Sequence, residues 1–132
     1  MFAVFSMTAA VFANSYDIVV NESVAINSQE KYKLKLIFSG KMRYWPDGKR
    51  IQIVTFSFED DDFLGFCSYL DIYPRIIIKQ WNSSIYTGSS GGPIRVSSYE
   101  EMLNTIKSTS GAVGYFKGVT EYGDGVNVID VK

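Results

Sequence analysis

Apolar residues in this chain fall into two rhythms. Three short runs have strand character: "DIVVN" (17–21), β-branched and closed by asparagine, "IQIVTF" (51–56), and "VNVIDV" (126–131), which alternates apolar with polar positions. Between them the period lengthens to that of a helix. In "SYEEMLNTIKS", Met102, Leu103 and Ile106 share a face, Ser98 stands at the N-cap position, and Glu100 and Glu101 fill the first turn, where the helix dipole favours negative charge. Two further helices are predicted in "DDDFLGFCSYLDIY" and "RIIIKQWNSSIY", divided by Pro74. Phe63, Phe66, Cys67 and Leu70 make the apolar face of the first, and Ile77, Ile78, Trp81 and Ile85 that of the second. "KYKLKLIF" fits both rhythms: Tyr32, Leu34 and Leu36 alternate with lysines as in a half-buried strand, yet Ser28, Gln29 and Glu30 resemble a helix cap and first turn. Strands alternating with helices predict an α/β fold, a small three-layer sandwich around a mostly parallel sheet. No internal repeat, low-complexity tract or linker interrupts it.

The segment "GKMRYWPDGKR" (40–50) sets Trp45 among four cations, Lys41, Arg43, Lys49 and Arg50. Pro46, Asp47 and Gly48 are turn residues, proline fixing φ and glycine supplying positive φ just before the strand near Ile51. The segment therefore reads as a connection, with Trp45 folded back over the domain edge and the cations solvated. A nucleic-acid grip would need stacking rings along a basic groove, which nothing else in the chain supplies.

Composition narrows the chemistry. With 132 residues, 46% hydrophobic and 15% aromatic, and a net charge of −1, the chain has the profile of one globular domain. Histidine is absent, which removes Ser-His triads, imidazole metal ligands and imidazole proton shuttles. The single cysteine, Cys67, forms no disulfide within the chain and reads as core filling between Phe66 and Leu70. The balance of 13 basic and 14 acidic residues gives no steering field for nucleic acid. Residues 1–13 are apolar from Phe2 to Ala13, too short to span a bilayer, and Val11 and Ala13 are spaced as at a signal-peptidase site. They read as a signal peptide lacking a basic n-region, with a buried N-terminal segment as the alternative. Export leaves 14–132 as one domain in the periplasm or outside the cell.

The ordered set "LIFSGKMRYWPDGKRIQIV", "DFLGFCSYL", "QWNSSIYTG" and "SGAVGYFKGV", followed by a final short strand, resembles the phosphate-type substrate-binding proteins of bacterial ABC transporters. The closer likeness is to small single-domain members of this type 2 periplasmic-binding-protein-like group, and it covers roughly residues 28–131. It implies that "SQEKYKLKLIF" is a helix. It also implies half a cleft, because full-length members bind their anion between two lobes and this chain is similar to the second lobe alone. That lobe usually receives the oxyanion on hydroxyls and N–H groups of an Asp-Ser-Gly-Thr-like turn at a helix N-terminus. Here the turn reads "SFEDDD", so Ser57 is the one hydroxyl carried over, and Glu59, Asp60, Asp61 and Asp62 crowd the receptor. Carboxylates at a helix start satisfy its dipole themselves, worth about 0.3–1 kcal/mol each at exposed sites. A doubly charged phosphate about 5 Å from one of them is repelled by roughly 1.7 kcal/mol even at water's dielectric constant. The same acidic turn could be a charged helix cap or, with an added coordinating loop, a calcium site.

A second candidate receptor is "TGSSGGP" (87–93), where small residues allow N–H groups to converge beside the hydroxyls of Ser89 and Ser90, with Arg95 near. The plainer reading is a flexible helix-to-helix loop ending at Pro93. In "SGAVGYF", Gly111 and Gly114 permit tight helix-to-strand passage and close packing, while Tyr115 either lines the would-be cleft or is a core ring.

Three functions compete. The resemblance implies an exported, non-catalytic binding domain for a small oxyanion such as phosphate, using Ser57, Ser89, Ser90, Arg95 and Tyr115, without cofactor or metal. The alternative is a protein-interaction module that docks on a membrane permease, a sensor or another copy of itself, with Tyr44, Trp45 and the basic loop as contacts. An enzyme is the third, but adjacent carboxylates in a helix cap are not a catalytic pair by spacing alone. Neither nucleic acid nor a transmembrane helix is implied.

Overall fold

A computed structural model describes residues 15–88, 92–118 and 121–132. The signal-peptide expectation for residues 1–13 lies outside them. Strands and helices follow in the order β1 (Asp17–Asn21), β2 (Ser28–Gln29), α1 (Lys31–Phe38), β3 (Gln52–Phe56), α2 (Asp61–Leu70), α3 (Pro74–Tyr86), β4 (Ile94–Val96), α4 (Tyr99–Ser108), β5 (Ala112–Phe116) and β6 (Val126–Val131). The strands form one sheet in the order β2-β6-β1-β5-β3-β4. β2–β6, β3–β4 and β3–β5 pair in parallel, and only β1 runs against both of its neighbours. The expected mostly parallel α/β sandwich is thus present.

Period-two alternation in β5 divides the layers. A Cβ on Gly114 would lie 2.7 Å from the side-chain ends of both Ile106 and Met102, so α4 packs closely on that face. The next residue, Tyr115, points to the opposite face and stacks on Phe66 of α2 with ring centroids 3.9 Å apart. Phe66 in turn meets Phe38 of α1 edge to face. Leu34, Ile37, Phe38, Phe63, Phe66, Cys67 and Leu70 are all buried here.

Both readings of "KYKLKLIF" are resolved in favour of the helix, as the resemblance implied. Ser28, read as its cap, instead lies in β2, and the helix starts from Glu30 with no side-chain cap. Parallel pairing with β6 claims Ser28 and Gln29 as extended backbone before the helix begins. On α3, Ile77 and Trp81 are buried as expected, whereas Ile85, at the C-terminal end, is half exposed. The segment after α3 leads into β4, not into another helix, because Ile94, Arg95 and Val96 pair with Val54, Thr55 and Phe56. Three residues give too short a run for alternation to register.

The 40–50 segment is a tight connection. Gly48, at φ +90°, donates its N–H to Trp45 O at 2.8 Å, and Trp45 N–H donates to Lys49 O at 2.8 Å. The Trp45 ring is buried, its Nε1–H donating to Gly111 O at 2.9 Å. Gly111 has φ +77°, and a Cβ there would collide with Arg50 O, so this glycine is required by both conformation and space. The buried Asn21 closes the same end: its Nδ2–H donates to Ile106 O (2.7 Å) and Lys107 O (3.0 Å), capping the last turn of α4.

Candidate functional site

β3 and β4 end side by side, Phe56 opposite Val96, and each runs within a few residues into a helix. The starts of α2 and α4 therefore share the carboxyl edge of the sheet, where helix N-termini suit anions. Both are already closed by the chain's own oxygens. Asp60 is the N-cap of α2, its Oδ1 accepting from Asp62 N–H at 2.8 Å, with Asp61 and Asp62 in the first turn. Ser98 caps α4 by accepting from Glu101 N–H at 3.0 Å, and Glu101 reaches back to accept from Ser97 N–H at 2.8 Å and Ser97 Oγ–H at 3.0 Å. Ser98 and Glu101 have the Ser-x-x-Glu spacing of a capping box, with the carboxylate returning to Ser97 N–H in place of Ser98 N–H.

Of the candidate binding residues, the structure gathers Ser57 and Arg95. Ser57 Oγ–H donates to Glu59 Oε2 at 2.7 Å. The Arg95 guanidinium lies 3.7 Å above the centre of the Phe58 ring, a cation–π contact, and Phe58 packs against Phe63 and Trp81. The Ser57 hydroxyl, the backbone N–H of Glu59 and the Arg95 charge together hold the Glu59 carboxyl below the usual glutamate range. Glu59 thus presents a carboxylate to the same donors that an incoming anion would use.

Tyr115 does not reach this surface. Its ring is fully buried, and its hydroxyl lies 2.9 Å from Thr55 Oγ1 and 3.2 Å from Phe56 N. Thr55 spends its one hydroxyl hydrogen on Phe56 O at 3.1 Å. It follows that Tyr115 donates to Thr55 and accepts from Phe56 N–H, which ties β5 to the end of β3. Ser89 and Ser90 lie outside the described residues. Sequence reasoning missed Tyr99, whose ring packs between Phe56 and Phe116 and whose hydroxyl donates to Lys117 O at 3.3 Å. Burial and the carboxylate of Asp62 push its pKa up to about 12.

Among the described residues, no three Cys, Asp or Glu side chains converge to hold a metal ion. Burial raises the Cys67 thiol to about 12, which leaves it unreactive near neutral pH. No helix among the described residues is long and apolar enough to cross a membrane.

No protein-family model and no curated protein sequence matches the chain. Solved structures do. An ABC-type phosphate transport receptor from Vibrio cholerae aligns with TM-score 0.64 at 19% identity, over 91% of this chain and 48% of the receptor. A protein assigned as a phosphate ABC transporter substrate-binding protein from Clostridium perfringens, solved with bound phosphate, aligns with TM-score 0.70 at 13% identity, over 90% of this chain and 46% of that one. PstS from Borrelia burgdorferi aligns with TM-score 0.64 at 12% identity, over 89% and 47% of the two chains. The chain spans about half the length of each of these structures. Its fold is that of one lobe of the phosphate-type substrate-binding proteins.

Proposed function

We propose that this chain is a non-catalytic, phosphate-binding-protein-like domain that works in the periplasm or outside the cell after loss of residues 1–13, and forms one wall of a small-oxyanion site. The supporting observation is the meeting of Ser57 and Arg95 around the Glu59 carboxylate, on a fold shared with phosphate-binding proteins. Glu59 acts as a tethered stand-in for the oxyanion, and an arriving ion has to displace it. Ser57 and Arg95 are the receptor's described donors. Tyr115 supports the receptor from beneath. A second wall, supplied by a permease, a sensor or another copy of the chain, completes the grip against Asp60, Asp61 and Asp62.

Inorganic phosphate titrated into ¹⁵N-labelled chain tests this reading. Saturable shifts at the amides of Ser57 to Asp60 are expected at millimolar phosphate, and Glu59→Gln should lower the concentration needed several-fold by releasing Ser57 and Arg95. Flat titrations in both proteins would overturn it.

A further inference from the structure

Charge is sorted along the middle of this chain. From Ile51 to Asp71 the charged side chains are all acids, Glu59, Asp60, Asp61, Asp62 and Asp71; from Ile72 to Tyr99 they are all bases, Arg75, Lys79 and Arg95. The acids fall on and around α2, and Arg75 and Lys79 fall on α3.

Helical spacing turns that sorting into two faces. On α2, Phe63, Phe66, Cys67 and Leu70 are buried, which leaves Asp61, Leu64, Ser68 and, at the C-cap, Asp71 exposed on the outer side. On α3, Ile77 and Trp81 are buried, and Arg75, Lys79, Asn82 and Tyr86 make an exposed outer stripe with Ile76 beside it. The rings of Phe63 and Trp81, 6.0 Å apart, join the two helices, and Leu64, Ser68, Asp71 and Tyr73 line one groove between them. The surface is therefore continuous, acidic along one helix and basic along the other.

Its apolar content is high for a surface left to water. Tyr73 is 77% and Tyr86 94% exposed, so that at about 200 Å² each the two side chains present roughly 340 Å². Leu64, Ile76 and the stems of Arg75 and Lys79 bring the face near the roughly 600 Å² per partner at the low end of specific interfaces. Patches of this kind mark contact sites.

We infer that this face is a self-association surface, on which a second copy of the chain docks with α2 of each copy against α3 of the other. A two-fold axis between the copies makes that pairing reciprocal. Asp61 and Asp71 then meet Arg75 and Lys79 twice, around a centre of Leu64, Ile76 and the tyrosines. Other occupants match only half of the face: an acidic protein or an anionic bilayer would suit α3 and be repelled by α2, and a basic partner the reverse. The modest area predicts a weak dimer, dissociating in the micromolar range.

Sedimentation velocity of the full chain over a range of concentrations, without phosphate, is the test. The parent should show a reversible monomer–dimer equilibrium, weakened several-fold by raising salt to about 0.5 M. Asp61→Lys/Asp71→Lys reverses the charge of α2, and Arg75→Glu/Lys79→Glu that of α3. Each variant alone should dimerise at least tenfold more weakly than the parent. An equimolar mixture of the two should recover association to within threefold, because each reversed helix then meets its opposite; contact through residues 1–13 or any other face would be indifferent to mixing. Should Asp71→Lys, at φ +63°, prevent folding, Asp61→Lys/Ser68→Lys takes its place. The inference is overturned if the parent stays monomeric at several hundred micromolar, if each variant dimerises within twofold of the parent, or if the mixture associates no more tightly than its components. A monomeric parent that pelleted with phosphatidylglycerol vesicles, and was released by Arg75→Glu/Lys79→Glu, would assign α3 to an anionic lipid surface and equally overturn it. Because association is read without phosphate, its failure leaves the oxyanion reading standing, and a flat phosphate titration leaves the dimer untouched.

Discussion

Removing one oxygen from each of two buried tyrosines should have opposite effects. Tyr115→Phe keeps the ring that stacks on Phe66 but deletes the acceptor for Phe56 N–H and the donor to Thr55 Oγ1, both fully inside the protein. A buried N–H left unpaired costs about 1–3 kcal/mol, which for a domain of this size lowers the melting temperature by roughly 4–12 °C. Tyr16→Phe is the matched control. Its hydroxyl is buried against Gly65 and, among the described residues, is the buried side-chain polar atom with no hydrogen-bond partner. Deleting it removes an uncompensated desolvation, so stability should hold or rise by up to about 1 kcal/mol. Urea unfolding followed by fluorescence, with unchanged m-values, measures both differences. Equal effects of the two substitutions would refute the hydrogen-bond assignment, and an unchanged midpoint for Tyr115→Phe together with loss of phosphate shifts would return Tyr115 to the list of direct ligands.

Other outcomes follow from single contacts. Gly111→Ala forces a Cβ into φ +77° and onto Arg50 O, and should cost about 2–4 kcal/mol in the same unfolding assay. Trp45→Phe loses the 2.9 Å bond to Gly111 O and part of a buried ring, and should lower stability by about 1–3 kcal/mol. The depressed Glu59 pKa gives a contribution to stability that is complete above the ordinary glutamate range and lost as pH falls through the folded value. In ¹³C NMR, Ser57→Ala should move the Glu59 titration up towards ordinary glutamate, Ser57 being the largest cause of the shift. Cys67 should resist alkylation at neutral pH until the chain unfolds, and modification of the native protein would contradict its burial.

Much of the architecture was legible where a pattern ran long enough. The α4 expectation held down to its cap, because Ser98, the two first-turn glutamates and the spacing of Met102 and Ile106 all agree. β6 was read to its ends from a β-branched run of six residues, although its alternation slips between Val128, which is exposed, and Ile129, which is buried. β2 and β4 were missed because two or three residues carry no period, and their existence depends on neighbours far along the chain. Periodicity alone left α1 undecided, since its lysine–apolar alternation also fits a strand; tertiary packing of Leu34, Ile37 and Phe38 decides it. At the site, the acidic cap of α2 was plain from "EDDD", whereas the partnership of Ser57 with Glu59 needed a loop conformation that composition does not specify. Tyr115 illustrates the same limit, for only the strand's facing direction separates a lining ring from a core ring.

The flanks of the sheet have a consequence for behaviour at high concentration. One margin is the two-residue β2, which passes straight into α1; the other is the three-residue β4, which carries Arg95 at its middle. Strands this brief offer a neighbouring molecule almost no row of vacant amide and carbonyl groups to zip against, and a charge interrupts the longer one. Crowded solutions of this protein should therefore resist conversion into ordered ribbons.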